Sequence, residues 1–289
     1  MDDLNRKLNI YKKRKRFLGI LTTVLGILCP VFLFLSIKRD VLAFKIALAA
    51  CVAVALILYF TVYRRAEKKL SAFYHENIFN GWLEECRFID GIAYEPENRS
   101  MRDILRGNRA ICHLDSVSYS VSGSYGGSRM LLSNVELGEE TGDAETSSYQ
   151  SYFDGAAAYV ELGRDFGCDM LLASGLKRDK VYDCIYPVLP AERLPDVQLG
   201  GQSLRKCFRV CANDAETAIA RLESFLADAA IRLRVESGTG VLILIQRDKL
   251  ILMVDDPLFG WHEKLDVDAE KNRITENLRR ITDFVDALR

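Results

Sequence analysis

The side chains best suited to chemistry follow the most apolar hairpin of the chain. They are Asp255, Asp256, Phe259, Trp261, His262 and Glu263. Carboxylates beside one histidine can bind a hard cation or act as an acid–base pair. Their spacing, however, matches neither an EF-hand loop nor the HExxH zinc motif. The alternative is a solvated loop that caps the next helix, with its aromatic rings packed against a sheet. We therefore treat these residues as a candidate ligand or partner surface and predict no catalytic residue, metal site or cofactor.

The other motifs with a chemical meaning are incomplete. The glycine-rich segment 122–128, SGSYGGS, lacks the Lys-Ser/Thr pair that completes a P-loop. No GxGxxG opens a helix after a strand, and no GxSxG forms a nucleophile elbow. The glycines therefore favour a flexible turn over a nucleotide site.

The eight cysteines are predicted to be structural. The sequence has three histidines and no CxxC pair. Cys207 and Cys211 lie four residues apart in a predicted strand, which places them on one face but far from each other. Zinc needs four convergent ligands, so we predict reduced, buried thiols and no metal site.

Apolar periodicity predicts the elements that position these residues. Val241–Gln246 and 249–255 are nearly continuous apolar runs, which predicts a central hairpin covered on both faces. Apolar stripes at helical spacing predict helices at about 214–229 and 268–288. Because βαβ periodicity is weak, the predicted fold class is α+β, a mainly antiparallel sheet with packed helices. Segment 122–150 is almost devoid of apolar residues in its second half and is predicted to be a mobile loop. Shorter strands are predicted at 110–121, 155–162, 169–173, 205–211 and 231–235.

Two apolar runs dominate the N-terminal part, residues 17–37 and 41–63, with Lys38-Arg39-Asp40 between them. Each run is about as long as the roughly 20 residues that cross a bilayer as a helix. The short gap permits only a tight turn, which predicts a transmembrane hairpin and a multi-pass membrane protein. A cleaved signal peptide is the alternative, but the first run is too long and no small-residue cleavage site follows it.

The charges predict an orientation and a domain order. Seven Lys and Arg residues precede the first run and four follow the second, against two in the turn. Both termini are therefore predicted to be cytoplasmic, with the hairpin in the cell (inner) membrane. Residues 64–289 carry 37 acidic and 29 basic side chains, an excess that disfavours nucleic-acid binding. The predicted order is a basic tail (1–16), the hairpin (17–63), a juxtamembrane helical linker (64–107) and a cytosolic α+β domain (108–289).

This order of features resembles a bacterial family catalogued as a domain of unknown function, number 3137. The resemblance rests on SYFDGAAAYVEL (151–162), SLRKCFRVCANDAETAIARL (203–222) and GVLILIQRDKLILMVDDPLFG (240–260). These are hydrophobic patterns, and Ala156, Ala157 and Ala158 depart from the bulkier strand residues of the family. The resemblance implies membrane attachment and a shared fold, and it implies no activity and no site residue.

Three functional hypotheses follow. The leading one is a non-enzymatic, membrane-tethered protein whose cytosolic domain binds a protein partner or assembles as a homo-oligomer. The second is a domain that binds a lipid or small ligand in an apolar pocket near the hairpin and Phe259. The third is a hydrolase or transferase with an acidic site around Asp255, Asp256 and Glu263.

Overall fold

The chain divides into two compact units. Unit 1 contains Met1–Glu84 and Trp261–Lys271, and unit 2 contains Glu85–Gly260 and Asn272–Arg289. The computed structural model describes residues 2–39, 46, 49–50, 52–54, 57, 61, 63–108, 111, 113–141, 148–174, 194–198, 202–260, 262 and 266–289.

Unit 1 is helical. Its elements are α1 (Asp2–Arg39), α2 (Arg64–Tyr74), a π-helical turn (His75–Phe79) and α3 (Asn80–Glu85), whose last residue belongs to unit 2. The first half of α1 packs on α2, where the ring centroids of Tyr11 and Phe73 lie 5.7 Å apart. Beside them, the Lys15 ammonium donates a hydrogen bond of 3.0 Å to the Glu67 carboxylate. The core of the unit includes Leu8, Leu18, Leu70, Tyr74, Ile78, Phe79 and Trp82, all buried.

The transmembrane hairpin predicted for residues 17–63 is contradicted. Residues 17–37 belong to α1, one helix whose first fifteen residues, 2–16, carry nine charged side chains. Among the described residues, no helix combines the length and the apolarity that crossing a membrane requires. Most of the second run, 41–63, lies outside the described residues. The prediction treated the apolar run in isolation, whereas in the structure it continues a strongly charged helix. The predicted cell-membrane location and cytoplasmic termini stay predictions.

Unit 2 is built on one antiparallel sheet of eight strands in the order β1-β2-β3-β4-β8-β7-β5-β6. The predicted α+β class with an antiparallel sheet is therefore confirmed. The strands are β1 (Asp90–Glu95), β2 (Leu114–Tyr125), β3 (Ser128–Thr141), β4 (Ser148–Glu161), β5 (Asp169–Ser174), β6 (Arg209–Ala212), β7 (Val241–Gln246) and β8 (Lys249–Val254). The helices are α4 (Arg99–Gly107), α5 (Gln202–Cys207), α6 (Ala215–Arg221), which a π-helical turn (Leu222–Leu226) joins to α7 (Ala227–Ser237), and α8 (Val267–Ala287), whose first five residues belong to unit 1.

The β7–β8 hairpin lies at the centre of the sheet, as its apolar sequence predicted. β8 pairs with β4, and β7 pairs with β5. Successive side chains of a strand point to opposite faces. Leu242 and Leu244 belong to a buried cluster with Met101 and Leu105 of α4. Ile243, on the opposite face, is equally buried. Both faces of the hairpin are therefore covered.

Three local predictions differ from the structure. Residues 122–150, predicted as a mobile loop, form the end of β2, all of β3 and the start of β4, and 142–147 lie outside the described residues. Backbone hydrogen bonds extend this hairpin beyond the core, and they do not require apolar side chains. Residues 231–235 are part of α7 rather than a strand. The predicted strand 205–211 is divided between α5 and β6.

Gly155 in β4 is required by a close approach of two backbones. A Cβ atom at this position would overlap the carbonyl oxygen of Val254 in β8. The glycine therefore allows β4 to pair with β8 at this point.

Candidate functional site

The two aspartates of the predicted surface hold the chain as it leaves β8. The Asp255 backbone N–H donates to the Gly240 carbonyl oxygen at 2.9 Å. The Asp256 carboxylate accepts a hydrogen bond of 3.2 Å from the Asn277 amide of α8. The Arg273 guanidinium lies 3.9 Å from the same carboxylate. Both aspartates are partly buried, and their contacts explain them as parts of the loop structure.

Phe259 fills the core of unit 2 rather than lining a pocket. Its side chain is fully buried, and its ring centroid lies 6.1 Å from that of Tyr119. The Asn134 side chain accepts a hydrogen bond of 2.9 Å from the Phe259 N–H and donates one to the Phe259 carbonyl oxygen. Arg273 holds the loop from α8, because its guanidinium donates to the carbonyl oxygens of Pro257, Leu258 and Gly260 at 2.8–3.2 Å.

His262 belongs to a polar network inside unit 1. Its Nδ1 lies 3.2 Å from the Glu270 carboxylate, and its backbone N–H donates to the same carboxylate. The Lys12 ammonium donates to the His262 carbonyl oxygen at 2.9 Å. Glu270 is fully buried and Lys12 is nearly so. The network ties the segment before α8 to α1.

The structure does not bring the six predicted residues together as one site. Asp255, Asp256 and Phe259 belong to unit 2, and His262 belongs to unit 1. Trp261 and Glu263 lie outside the described residues. The carboxylate beside His262 is Glu270, which the sequence analysis missed. Its position was a usable signal, because Glu270 lies one turn before Ile274 on the buried stripe of α8.

The glycine cluster and the cysteines have structural explanations. Gly126 and Gly127 have φ angles of 53° and 82° and form the turn between β2 and β3, a conformation that favours glycine. Cys207 ends α5, whereas Cys211 lies in β6 and its thiol donates to Asp196 at 3.2 Å. Across the described ranges, no group of three or more potential ligands could hold a metal ion.

Among the ionisable groups of unit 2 with shifted pKa values, Asp196 and Tyr159 show the two main structural causes, a hydrogen-bonded ion pair and burial. Hydrogen bonds from the Arg209 guanidinium, at 2.6 and 2.8 Å, lower the pKa of Asp196. Burial, reinforced by the Glu161 carboxylate, raises the pKa of Tyr159 to about 12. The Tyr159 hydroxyl donates to that carboxylate at 3.3 Å. Both groups have partners within the fold, Arg209 for Asp196 and Glu161 for Tyr159, so we assign both to stability.

A row of exposed apolar side chains lies along α1 and is here called the apolar stripe. It was not predicted from the sequence as a surface. Rows of large, exposed apolar side chains are uncommon on protein surfaces, and they mark binding surfaces. The residues recur at spacings of three and four, which places them on one side of a helix. Each is between 47 % and 66 % exposed, whereas Leu8 on the side packed against α2 is 1 % exposed. The stripe consists of Phe17, Ile20, Val24, Ile27, Val31 and Phe34.

An open groove, here called the cationic groove, lies beside the N-terminal end of the apolar stripe within unit 1. It has a volume of about 530 Å³ and is lined by Lys15, Arg16, Gly19, Ile20, Thr23, Val24 and Tyr63. Two stripe residues, Ile20 and Val24, thus form part of its wall. The volume falls within the range of roughly 300–1,000 Å³ that is typical of small-molecule sites. The lining is apolar over most of its surface, with two cations at one end.

Comparisons with known proteins assign no family to this chain. No family profile matches it, and no curated protein matches it. A similar solved structure is the crystal structure of the mycobacterial trehalose monomycolate transport factor A, TtfA. It is 8% identical, the match covers 72% of this chain and 92% of that chain, and the TM-score is 0.37. At this TM-score, the structural similarity supports no conclusion about the fold or function of this chain. The resemblance to the domain of unknown function, number 3137, stays a prediction.

Proposed function

We propose that the chain is a non-enzymatic binding protein whose ligand is lipid-like, and that the apolar stripe of α1 binds it. The observation that carries this proposal is the exposure of six large apolar side chains in one row. From residue 17 to residue 34, a helix rises about 25 Å, so the row is long enough to contact an alkyl chain along its length. Covering such a surface removes apolar area from water, which is favourable.

Asp256, a candidate residue, and Glu270, the carboxylate beside His262, support a non-enzymatic protein. In the described part of the chain, Asp256 and Glu270 are engaged in hydrogen bonds that hold loops and helices. Phe259 is buried, which argues against the apolar pocket expected near it. The apolar stripe therefore replaces that pocket as the proposed ligand surface.

Binding of nonionic alkyl amphiphiles tests the proposal. Octyl and decyl maltoside, each below its micelle concentration, are titrated into the full chain by calorimetry. Complete burial of a CH₂ group contributes about 0.8 kcal/mol, and an open stripe covers part of each group. We expect decyl maltoside to bind about threefold or more tightly than octyl maltoside.

Paired variants locate the interaction. Val24→Ser with Ile27→Ser should weaken binding of decyl maltoside about tenfold, because two side chains of the stripe lose apolar area. Val235→Ser is the matched control, since Val235 in α7 is also exposed, at 70 %, but lies in unit 2. Equal weakening by both changes, or no dependence on alkyl length, would contradict the proposal.

Self-association through the same stripe is a second candidate. The six residues alternate spacings of three and four without exception, the 3.5-residue repeat typical of helices that pair in coiled coils. Sedimentation of the ligand-free chain tests this candidate. A dimer that Val24→Ser with Ile27→Ser converts to a monomer would support it, and a monomeric wild-type chain would exclude it.

A further inference from the structure

We infer that the cationic groove selects an anionic amphiphile, with the charged headgroup beside Arg16 and the alkyl chain along Ile20 and Val24. This inference rests on the proposed function and deepens it, because it names the class of lipid-like ligand. The inference is based on the lining of the groove, which has cationic side chains at one end and apolar side chains along its wall.

The two cations of the groove, Lys15 and Arg16, differ in their ion pairs. The Lys15 ammonium pairs with Glu67 at 3.0 Å and lies 6.0 Å from the centroid of the Tyr63 ring. Arg16 is exposed, and it has no ion pair or hydrogen bond with any residue that the structure describes. Its guanidinium is therefore the group that can pair with an added anion, and its planar fork suits a phosphate or carboxylate. Lys15, held in place by Glu67, sets the polar boundary of the groove.

The apolar wall begins one turn further along α1. Ile20 lies four residues after Arg16, and Val24 lies four residues after Ile20, so the three share one side of the helix. Both apolar side chains are exposed and belong to the apolar stripe. A ligand whose headgroup pairs with Arg16 would thus have its alkyl chain directed along the stripe. A free phosphate would use the cation and leave the apolar wall in water, so we assign the groove to an amphiphile.

Gly19 makes room for this ligand. A Cβ atom at residue 19 would lie 3.9 Å from the Tyr63 ring, within ordinary contact distance. A larger side chain would therefore extend into the space between α1 and Tyr63. Leucine has a higher helix propensity than glycine, so Gly19→Leu would fill the groove without weakening the helix itself.

Ligands with one alkyl chain and two headgroups test the inference. Decyl phosphate and decyl maltoside are titrated into the full chain, with inorganic phosphate as a competitor. We expect decyl phosphate to bind about threefold to tenfold more tightly, the increment of one partly exposed ion pair. Arg16→Gln should abolish this preference, whereas Arg14→Gln, the same charge change on α1 outside the groove, should preserve it. Gly19→Leu should weaken both ligands.

The possible failures are distinguishable. Equal affinities for the two decyl compounds in the wild-type chain would overturn the anionic preference and leave the proposed function standing. Competition by inorganic phosphate at the concentration of decyl phosphate would show that the site recognises the anion alone, which also overturns the inference. Absence of binding by both decyl compounds would overturn the proposed function as well.

Discussion

Replacement of Phe259 by alanine distinguishes a core residue from a ligand platform. Burying a phenylalanine side chain contributes about 1.5–3 kcal/mol, and the cavity that alanine leaves behind adds a further cost. Measured Phe→Ala changes at such positions total about 3–5 kcal/mol. Because Phe259 is fully buried and packs near the Tyr119 ring, we expect a loss in this range.

The assay is urea unfolding of the full chain, followed by the far-ultraviolet circular dichroism of the sheet. For a urea dependence of about 2–3 kcal/mol per molar, the loss moves the midpoint down by about 1–2.5 M. Phe88→Ala is the matched control, since Phe88 in the same unit is 39 % exposed, and its change should stay within about 1–2 kcal/mol because part of its ring is already in solvent. A shift for Phe259→Ala no larger than that of the control would refute the assignment of Phe259 to the core.

Three further predictions concern buried polar groups and a backbone contact. Glu270→Ala should destabilise unit 1 by about 1–3 kcal/mol, because the His262 N–H loses its acceptor. The fluorescence of buried Trp82 during unfolding measures this loss. Glu270→Gln keeps an acceptor oxygen, so an equal loss for both variants would contradict this reasoning. The raised pKa of Tyr159 favours folding while its phenol is protonated, so this contribution is complete below pH 10 and is lost as the pH rises through about 12. Stability of the wild type should therefore fall more steeply across this interval than stability of Tyr159→Phe, and parallel curves would disprove the link. Gly155→Ala should lower the free energy of unfolding by about 1–3 kcal/mol, measured by thermal or urea unfolding, because the alanine Cβ would overlap the Val254 carbonyl oxygen. Wild-type stability of the variant would show that β4 does not approach β8 as described.

The central part of the fold was predictable because its residues repeat one pattern. β7 and β8 are nearly continuous apolar runs, and a strand of that kind is stable only when both faces are covered. The helix 268–288 was also visible, since Ile274, Leu278 and Ile281 recur at helical spacing. Each element can be identified from one stretch of sequence.

The errors arose where the outcome depends on distant partners. The polar ends of β3 and β4 are strands because each pairs with the other, and their composition does not show this. The apolar run 17–37 was interpreted by itself, whereas α1 is continuous with the charged segment before it. At the candidate site, neighbours in sequence were assumed to be neighbours in space. His262 instead lies beside Glu270, eight residues away, and Phe259 is held by Asn134 of β3.

Photolabelling is the most direct test of the claim that α1 carries the ligand surface. A decyl phosphate analogue with a diazirine in its alkyl chain is bound to the full chain and activated by light. Mass spectrometry then locates the covalent adducts. Adducts concentrated between Phe17 and Phe34, and displaced by excess unlabelled decyl phosphate, are the predicted result. Adducts spread over other exposed apolar residues, such as Phe88 and Val235, or resistant to displacement, would contradict the account.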